Sequence, residues 1–275
     1  MSTAALPARP ALTPPTRAAG PIATTLAIAR RTVVQFLRTP ELLITTTVQG
    51  VIFLLMFRYV LGGAISAGDV AYVDFLVPGF VVSGMLFSAS GGSVGVAEDA
   101  AGGFYDRLRS LPIPRWSVLT GRALADTALI TWAALVTAAV GFAIGFRPDG
   151  GPLALLAALG LVVLLAFSLT WLFLLLGLLA GSAQAAQGMG LLVIPFSFVS
   201  SAFVPVDSMP GWLEAFARHQ PITVACDAVR GLTLGDGAAA VVDRATSTSV
   251  LLTLGWCVVL VAVFAPLALR RYRRG

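Results

Sequence analysis

The sequence contains no lysine: all 18 of its basic side chains are arginine. A phosphate-binding loop of the form GxxxxGK[ST] needs that lysine to hold nucleotide phosphates, so the chain is not a conventional P-loop ATPase by itself. Histidine occurs once, at His219, and cysteine twice, at Cys226 and Cys257. Three such side chains make no metal cluster, Cys/His dyad or disulfide framework, and no catalytic, cofactor-binding or metal-ligating set is expected. Charge is scarce too: 11% of residues are charged against 57% hydrophobic, with a mean hydropathy of +0.90. Soluble domains carry about a quarter charged residues, so the composition reads as a polytopic membrane protein. The positive balance, +5 with a sequence pI near 10.0, resides in arginines that flank apolar spans rather than in a nucleic-acid surface. The preference for arginine, beside many Ala, Gly and Val, is also what a GC-rich genome produces.

The first 20 residues (MSTAALPARPALTPPTRAAG) are rich in Pro, Ala and Thr and hold no continuous apolar run. A secretory signal needs such a run, so 1–20 reads as a disordered cytoplasmic tail. From Pro21 the pattern changes. Ile22, Leu26, Ala29, Val33 and Leu37 recur at helical spacing, while Arg30, Arg31, Gln35 and Arg38 spread around the other side. This predicts a basic amphipathic interfacial helix over 21–40, lying flat on the inner leaflet. Thr39-Pro40 ends it, because the residue before a proline is pushed out of the helical region. The remainder, 41–275, divides into six apolar spans at about 41–61, 75–97, 123–146, 152–180, 188–204 and 248–269. A helix of about 20 residues crosses a hydrocarbon core about 30 Å thick, and the fourth span, being longer, is expected to tilt. The predicted fold is an all-α, six-helix membrane protein.

Between the second and third spans lies EDAAGGFYDRLRSLPIPRWSVLTGR, residues 98–122, a charged island bracketed by proline. Arg107, Arg109, Arg115 and Arg122 place it on the cytoplasmic side, where short arginine-rich loops are retained during insertion. Arginines of the N-terminal region and Arg270, Arg271, Arg273 and Arg274 fall on that same side. Asp69, Asp74, Asp149, Asp207, Asp227 and Asp236 fall on the other. Six spans with both termini cytoplasmic follow. Within the island, Asp106, Arg107 and Arg109 share one helical turn, and Pro112-Ile113-Pro114 fixes a stiff extended corner that presents Ile113 outward. Such a loop is either a surface for another protein, rigid enough to transmit movement, or a solvated turn that holds topogenic arginines.

The stretch 205–247 is too apolar for an ordinary outer loop and too interrupted by Pro205, Pro210, Gly211 and Pro221 for a span. It predicts two short re-entrant helices that dip into the outer leaflet between the fifth and sixth spans. Trp212 suits an interfacial position, and Asp227 and Arg230 at i,i+3 are spaced to pair; plain helix capping accounts for the same residues. Polar content inside the spans is small and uncharged, for example Thr45 and Gln49, Ser83 and Ser88, Ser197 and Ser200. The carboxylates Glu41, Asp99 and Asp126 fall at span margins, whereas a proton- or sodium-driven carrier normally needs ionisable sites at the midplane. Gly84, Ser88 and Gly92 repeat every four residues, a spacing for close helix packing within the chain or between two copies.

Three separated segments carry a family resemblance: Arg38-Thr39-Pro40 before the first span, DRLRSLPIPRWSVLTGRALAD at 106–126, and PVDSMPGWL followed by HQPITVACDAVRGL between 205 and 232. In that order, over about 21–271, the chain resembles the integral-membrane permeases of ABC-2 type exporters, nearest their daunorubicin-resistance branch in actinobacteria. The resemblance implies a half-transporter in the bacterial plasma membrane that pairs with a second permease copy, identical or different, and with ATPase subunits from another gene. ATP and magnesium would sit on that ATPase, and this chain would bind no cofactor; membrane lipids surround it and nucleic acid is no partner.

The same resemblance implies that the amphipathic helix and the island rest on the ATPase. The coupling residues would be Arg30, Arg31, Arg38, Glu98, Asp106, Arg107, Arg109, Pro112, Ile113, Pro114 and Arg115, with Pro210, Trp212, Pro221, Asp227 and Arg230 in the re-entrant segment. The run Glu98 to Gly103 only loosely resembles the coupling motif of importers, so no role passes to Ala100 or Ala101. The implied activity is outward movement of a hydrophobic drug-like compound, a lipid or a lipid-linked glycan. An ATP-independent carrier or a structural membrane subunit is the other class the residues allow.

Overall fold

The computed structural model describes residues 20–63 and 70–274. The tail expected at 1–20 lies outside them except for Gly20, and so do Asp69 and the side chains of Glu41 and Thr45. All regular elements among the described residues are helical. Helix α1 (Pro21–Leu37) opens with proline in its first turn, where the missing N–H has no intrahelical partner to lose, and it stops before Thr39-Pro40. Helix α2 (Pro40–Met56) runs on into a π turn at Phe57–Leu61. There follow α3 (Tyr72–Ala101), α4 (Phe104–Arg109), α5 (Arg115–Ala143), α6 (Gly151–Ala180), α7 (Ala183–Gly190), α8 (Val193–Phe198), α9 (Gly211–Ala217), α10 (Pro221–Leu234) and α11 (Thr246–Arg274).

Four helices, α3, α5, α6 and α11, are long and apolar enough to cross a membrane. At 1.5 Å per residue each measures about 45 Å, longer than a hydrocarbon core about 30 Å thick. That length corrects three expected boundaries. Helix α3 continues past Ala97 through Glu98 and Asp99, α5 begins at Arg115 rather than near 123, and α11 runs on through Arg274. Charged residues mark the membrane edge but do not end a helix, because headgroups, water or a neighbouring helix satisfy them.

The fifth segment, expected as one span at 188–204, is broken. Helix α7 ends at Gly190, Leu191 and Leu192 form a turn, and α8 ends at Phe198. Gly188 and Gly190 weaken helix propagation there, and Pro195 supplies no N–H to the turn before it. The start of α7 is fixed by Ser182, whose hydroxyl accepts from the Ala185 N–H at 3.1 Å.

Helix α3 is central, packed by α5, α6, α7 and α10, and α11 packs on α6. One apolar core runs along α3 and α6, through Phe75, Leu76, Val82 and Met85 to Leu165 and Leu169. A second, at the opposite end of the bundle, gathers Ile28, Tyr105, Leu119, Trp171 and Tyr272 from α1, α4, α5, α6 and α11. The Gly84, Ser88, Gly92 stripe is not a tight contact within the chain. A Cβ at Gly84 would meet nothing within 4 Å, and Gly92 faces the Asp126 carboxylate.

Candidate functional site

Successive helical residues are about 100° apart, and on α1 this produces three faces rather than the expected two. Thr24, Thr25, Ile28 and Thr32 are buried, on the helix that packs against α5. Ile22, Leu26 and Leu37 of the apolar stripe are exposed on a second face, and Arg30, Arg31 and Arg38 on a third. Threonine can take the buried face because the Thr24 and Thr25 hydroxyls donate to the Gly20 and Pro21 carbonyls, at 3.1 and 2.9 Å, and so need no partner on α5. Close approach is set by Gly121, where a Cβ would lie 2.6 Å from the Thr25 carbonyl oxygen.

The three helices that meet here share a charge cluster. Asp99, near the end of α3, accepts from Arg31 of α1 at 3.2 Å and from Arg122 of α5 at 2.7 Å. The Arg122 side chain is 5% exposed; its Nε donates to both Asp126 oxygens at 3.0 Å and its Nη2 to the Gly92 carbonyl at 3.3 Å. Arg31 also lies 3.8 Å over the Phe104 ring at the start of α4. Two arginines and two aspartates alternate and their charges cancel, which is the arrangement that makes ion burial tolerable beside lipid.

The island continues from this cluster. Helix α3 stops at Gly102, and Gly103 turns the chain with φ 68°, a left-handed conformation that glycine adopts without steric cost. Helix α4 then docks under the C-terminal end of α11. Tyr105 packs edge-on against Tyr272 with ring centroids 5.6 Å apart, and Arg109 bonds Asp106 at 2.7 Å while lying 4.8 Å over the Tyr272 ring. Burial holds the Tyr105 phenol above its usual range. The expected corner exists: Pro114 is extended and the Ile113 N–H turns back to the Leu111 carbonyl at 2.8 Å.

Its apolar tip is not Ile113. That side chain is half-buried against the core around Tyr105 and Tyr272, whereas Leu111 and Trp116 are 51% and 45% exposed. The turn at Pro112 sends Ile113 back toward the bundle and leaves its apolar neighbours facing out. Of the other expected coupling residues, Arg30, Arg31, Arg38, Glu98, Asp106, Arg107, Pro112 and Arg115 are exposed, and Arg109 and Pro114 are half-buried.

At the far end of the bundle, Pro210 precedes α9, Pro221 opens α10, and Trp212 is 78% exposed. Arg230 of α10 is fully buried. It donates to the Phe75 carbonyl at 3.0 Å, the Ser201 carbonyl at 2.6 Å, the Ser201 hydroxyl at 3.1 Å and the Ala202 carbonyl at 3.2 Å, and it lies 3.6 Å over the Phe75 ring. The expected pairing with Asp227 is long, 3.9 Å, and is bridged by Ser201, whose hydroxyl donates to Asp227 at 3.2 Å. Arg230 thus staples the irregular chain after α8 to α3. Gly79 leaves room for it: a Cβ there would lie 2.1 Å from the Ala202 carbonyl oxygen and 2.6 Å from the Arg230 Nη2.

Nearby, Asp207, Glu214 and Asp243 converge on Arg218. The hydrogen bonds that Arg218 donates to Asp243 and Glu214 hold its guanidinium above the usual range. Burial pushes the Asp227 carboxyl up to about 6, against the opposing pull of Arg230. Phe75, Ser201, Asp207, Arg218, Asp227 and Arg244 are among the residues that line a cavity of about 280 Å³ between these groups.

The model of the ABC-2 type transporter family matches residues 24–234, from α1 to the end of α10. The chain belongs to the ABC-2 type transporter family. This ABC-2 protein is 34% identical over 253 residues, 92% of its length and 87% of the relative's, to a daunorubicin resistance ABC transporter permease protein of Streptomyces coeruleorubidus. It is 27% identical over 219 residues, 78% of each chain, to a probable doxorubicin resistance ABC transporter permease protein of Mycobacterium tuberculosis. A probable multidrug ABC transporter permease of Escherichia coli K12 is 28% identical over 145 residues, 52% of this chain and 39% of that one. The ABC-2 protein is accordingly a multi-pass membrane permease subunit of an ABC exporter.

Sequence reasoning on this permease missed Asp99, Arg122 and Asp126 as a unit. The i,i+4 spacing of Arg122 and Asp126 was the available signal. The third member comes from α3, and only the packed bundle brings it within reach.

Proposed function

We propose that the permease works as a dimer with a separate ATPase and moves a hydrophobic drug-like compound, a lipid or a lipid-linked glycan outward. The observation that carries this reading is the construction of the island end. Exposed Leu111, Trp116, Arg107 and Arg115 stand on a short proline-braced segment, and the charge cluster and the Tyr105–Tyr272 core tie that segment to α1, α3, α5 and α11. A partner pressing on such a surface moves the spans instead of flexing a loop. The drug-resistance names of the relatives support the cargo class.

In this reading there are six crossings with both termini cytoplasmic. The α2 and π-turn unit is the first, the broken α7–α8 pair is the fifth, and α9 and α10 dip into the outer leaflet. Backbone broken at membrane depth is stable only against protein or a water-lined path. Gln187 of α7 is exposed, and so are Leu191, Leu192, Phe196 and Phe198 along the broken pair. This exposed α7–α8 segment suits a second copy and a path between the two.

Co-purification of the permease with the ATPase encoded beside it, followed by cargo-stimulated ATP hydrolysis, tests the partnership. Export that persists without any ATPase would replace it with an ATP-independent carrier. Cysteines at Asp149 and Asp236 should be labelled from outside intact cells and one at Ser110 only after permeabilisation; the reverse pattern refutes the topology.

A further inference from the structure

The cavity between α10, the segment after α8 and residues 239–244 has chemistry that the export reading leaves unused. At about 280 Å³ it lies just under the roughly 300–1,000 Å³ of pockets for drug-sized ligands, so it accommodates a headgroup rather than a whole cargo. Five charged residues line it, Asp207, Asp227 and Asp243 against Arg218 and Arg244. Asp227 engages Ser201 and faces Arg230 through Oδ1 alone, and Oδ2 has no hydrogen bond among the described residues. Arg244 places Nη1 on the Arg218 carbonyl at 2.8 Å, and its other donors have no hydrogen bond among the described residues. Arg218 is already held by three carboxylates and offers little to a ligand. Phe75, Val206 and Val242 supply apolar walls, and Trp212 and Phe216, exposed on neighbouring α9, suit the level where acyl chains begin.

We propose that this cavity binds the phosphoethanolamine headgroup of an outer-leaflet lipid, its ammonium donating to Asp227 and its phosphodiester accepting from Arg244. The assignment rests on the topology proposed above, which puts α9 and α10 in the outer leaflet. Selectivity follows from donor count. A primary ammonium brings three N–H donors to the carboxylate, a choline group brings none, and a glycerol headgroup brings no positive charge.

The test is native mass spectrometry of the full-length permease in detergent, titrated with short-chain phosphatidylethanolamine, phosphatidylcholine, phosphatidylglycerol and free O-phosphoethanolamine. The ethanolamine lipid should bind about tenfold more tightly than the other two lipids, and Asp227→Asn and Arg244→Gln should each weaken it about tenfold. Asp236→Asn, outside the cavity lining, should change nothing. Equal binding of all three lipids, or undiminished binding in both cavity variants, overturns the proposal. Should Asp227→Asn fail to fold, Arg244→Gln decides alone. Free O-phosphoethanolamine binding as tightly as the lipid would overturn the lipid source in favour of a soluble ligand. Labelling of Asp236→Cys only from inside would overturn the outer-leaflet assignment, whereas loss of ATPase capture with headgroup binding intact counts against the export mechanism alone.

Discussion

Replacing Arg122 with methionine removes the donor shared by Asp99, Asp126 and the Gly92 carbonyl while keeping an apolar stem in the same space. Asp126, 6% exposed, then has no opposite charge in contact among the described residues, and Asp99 keeps only Arg31. Breaking a buried pair from one side costs about 3–5 kcal/mol because the remaining charge stays desolvated. At tenfold per 1.4 kcal/mol, that lowers the folded ratio by roughly a hundredfold to a few thousandfold. Arg31→Ala is the internal comparison. It breaks a pair whose arginine is 39% exposed, plus one ring contact, and should cost only about 1–2 kcal/mol. Adding Asp126→Asn to Arg122→Met removes the stranded charge and should return about 1–3 kcal/mol, so the double variant is more stable than the single. Thermal unfolding in lipid nanodiscs, with membrane abundance alongside, measures all three. If Arg122→Met costs no more than Arg31→Ala, or if the double variant is the worse one, the cluster is not a neutralised buried network.

Leu111→Ala and Trp116→Ala should each weaken ATPase capture about tenfold or more at unchanged abundance, whereas Ile113→Ala should lower the unfolding temperature and spare capture; pull-down and melting curves on the same preparations separate the two. Gly79→Ala drives a methyl into the Ala202 carbonyl and Arg230, and should destabilise by about 1–3 kcal/mol, with wild-type stability as the refuting result. Asp227, facing Arg230, Arg244, Arg218, Asp207 and Asp243 around the cavity, is ionised above about 6, so binding of the ethanolamine lipid should hold near neutrality and fall as pH drops through about 6. A flat profile across that interval would remove Asp227 from the site. Purified alone, the permease should show no ATP hydrolysis above a control preparation, since no lysine is available for a phosphate-binding loop.

Helical class, the long spans and the stiff corner at Pro112-Ile113-Pro114 were legible because each depends on local properties: apolar run length and proline geometry. What escaped depends on which helix lies beside which. Threonine on the buried face of α1 defied the rule that the apolar stripe packs inward, because the Thr24 and Thr25 hydroxyls are satisfied by carbonyls one turn back in the same helix. Ile113 points inward only because α4 and α11 build a core beneath it. Asp99 looked like a span margin until α3 proved long enough to carry it to Arg31 and Arg122. The fifth span looked continuous because apolar residues run through 188–204, and average hydropathy does not register what two glycines and a proline do to a helix.

Helix α5, 29 residues and about 43 Å long, has its midpoint near buried Ile130. Near one end Gly121 seats it against α1, and near the other Gly141 seats it on Val77 of α3. Measured from that midpoint, the rod has two nearly equal arms. A lateral shift of about 3 Å at the Arg115 end, pivoting at the middle, tilts the axis by about 8° and displaces the Gly141 end by a comparable distance in the opposite sense. In the proposed mechanism, a push on one end of this rigid rod would thus reach the other end of the bundle with no bend in the rod itself.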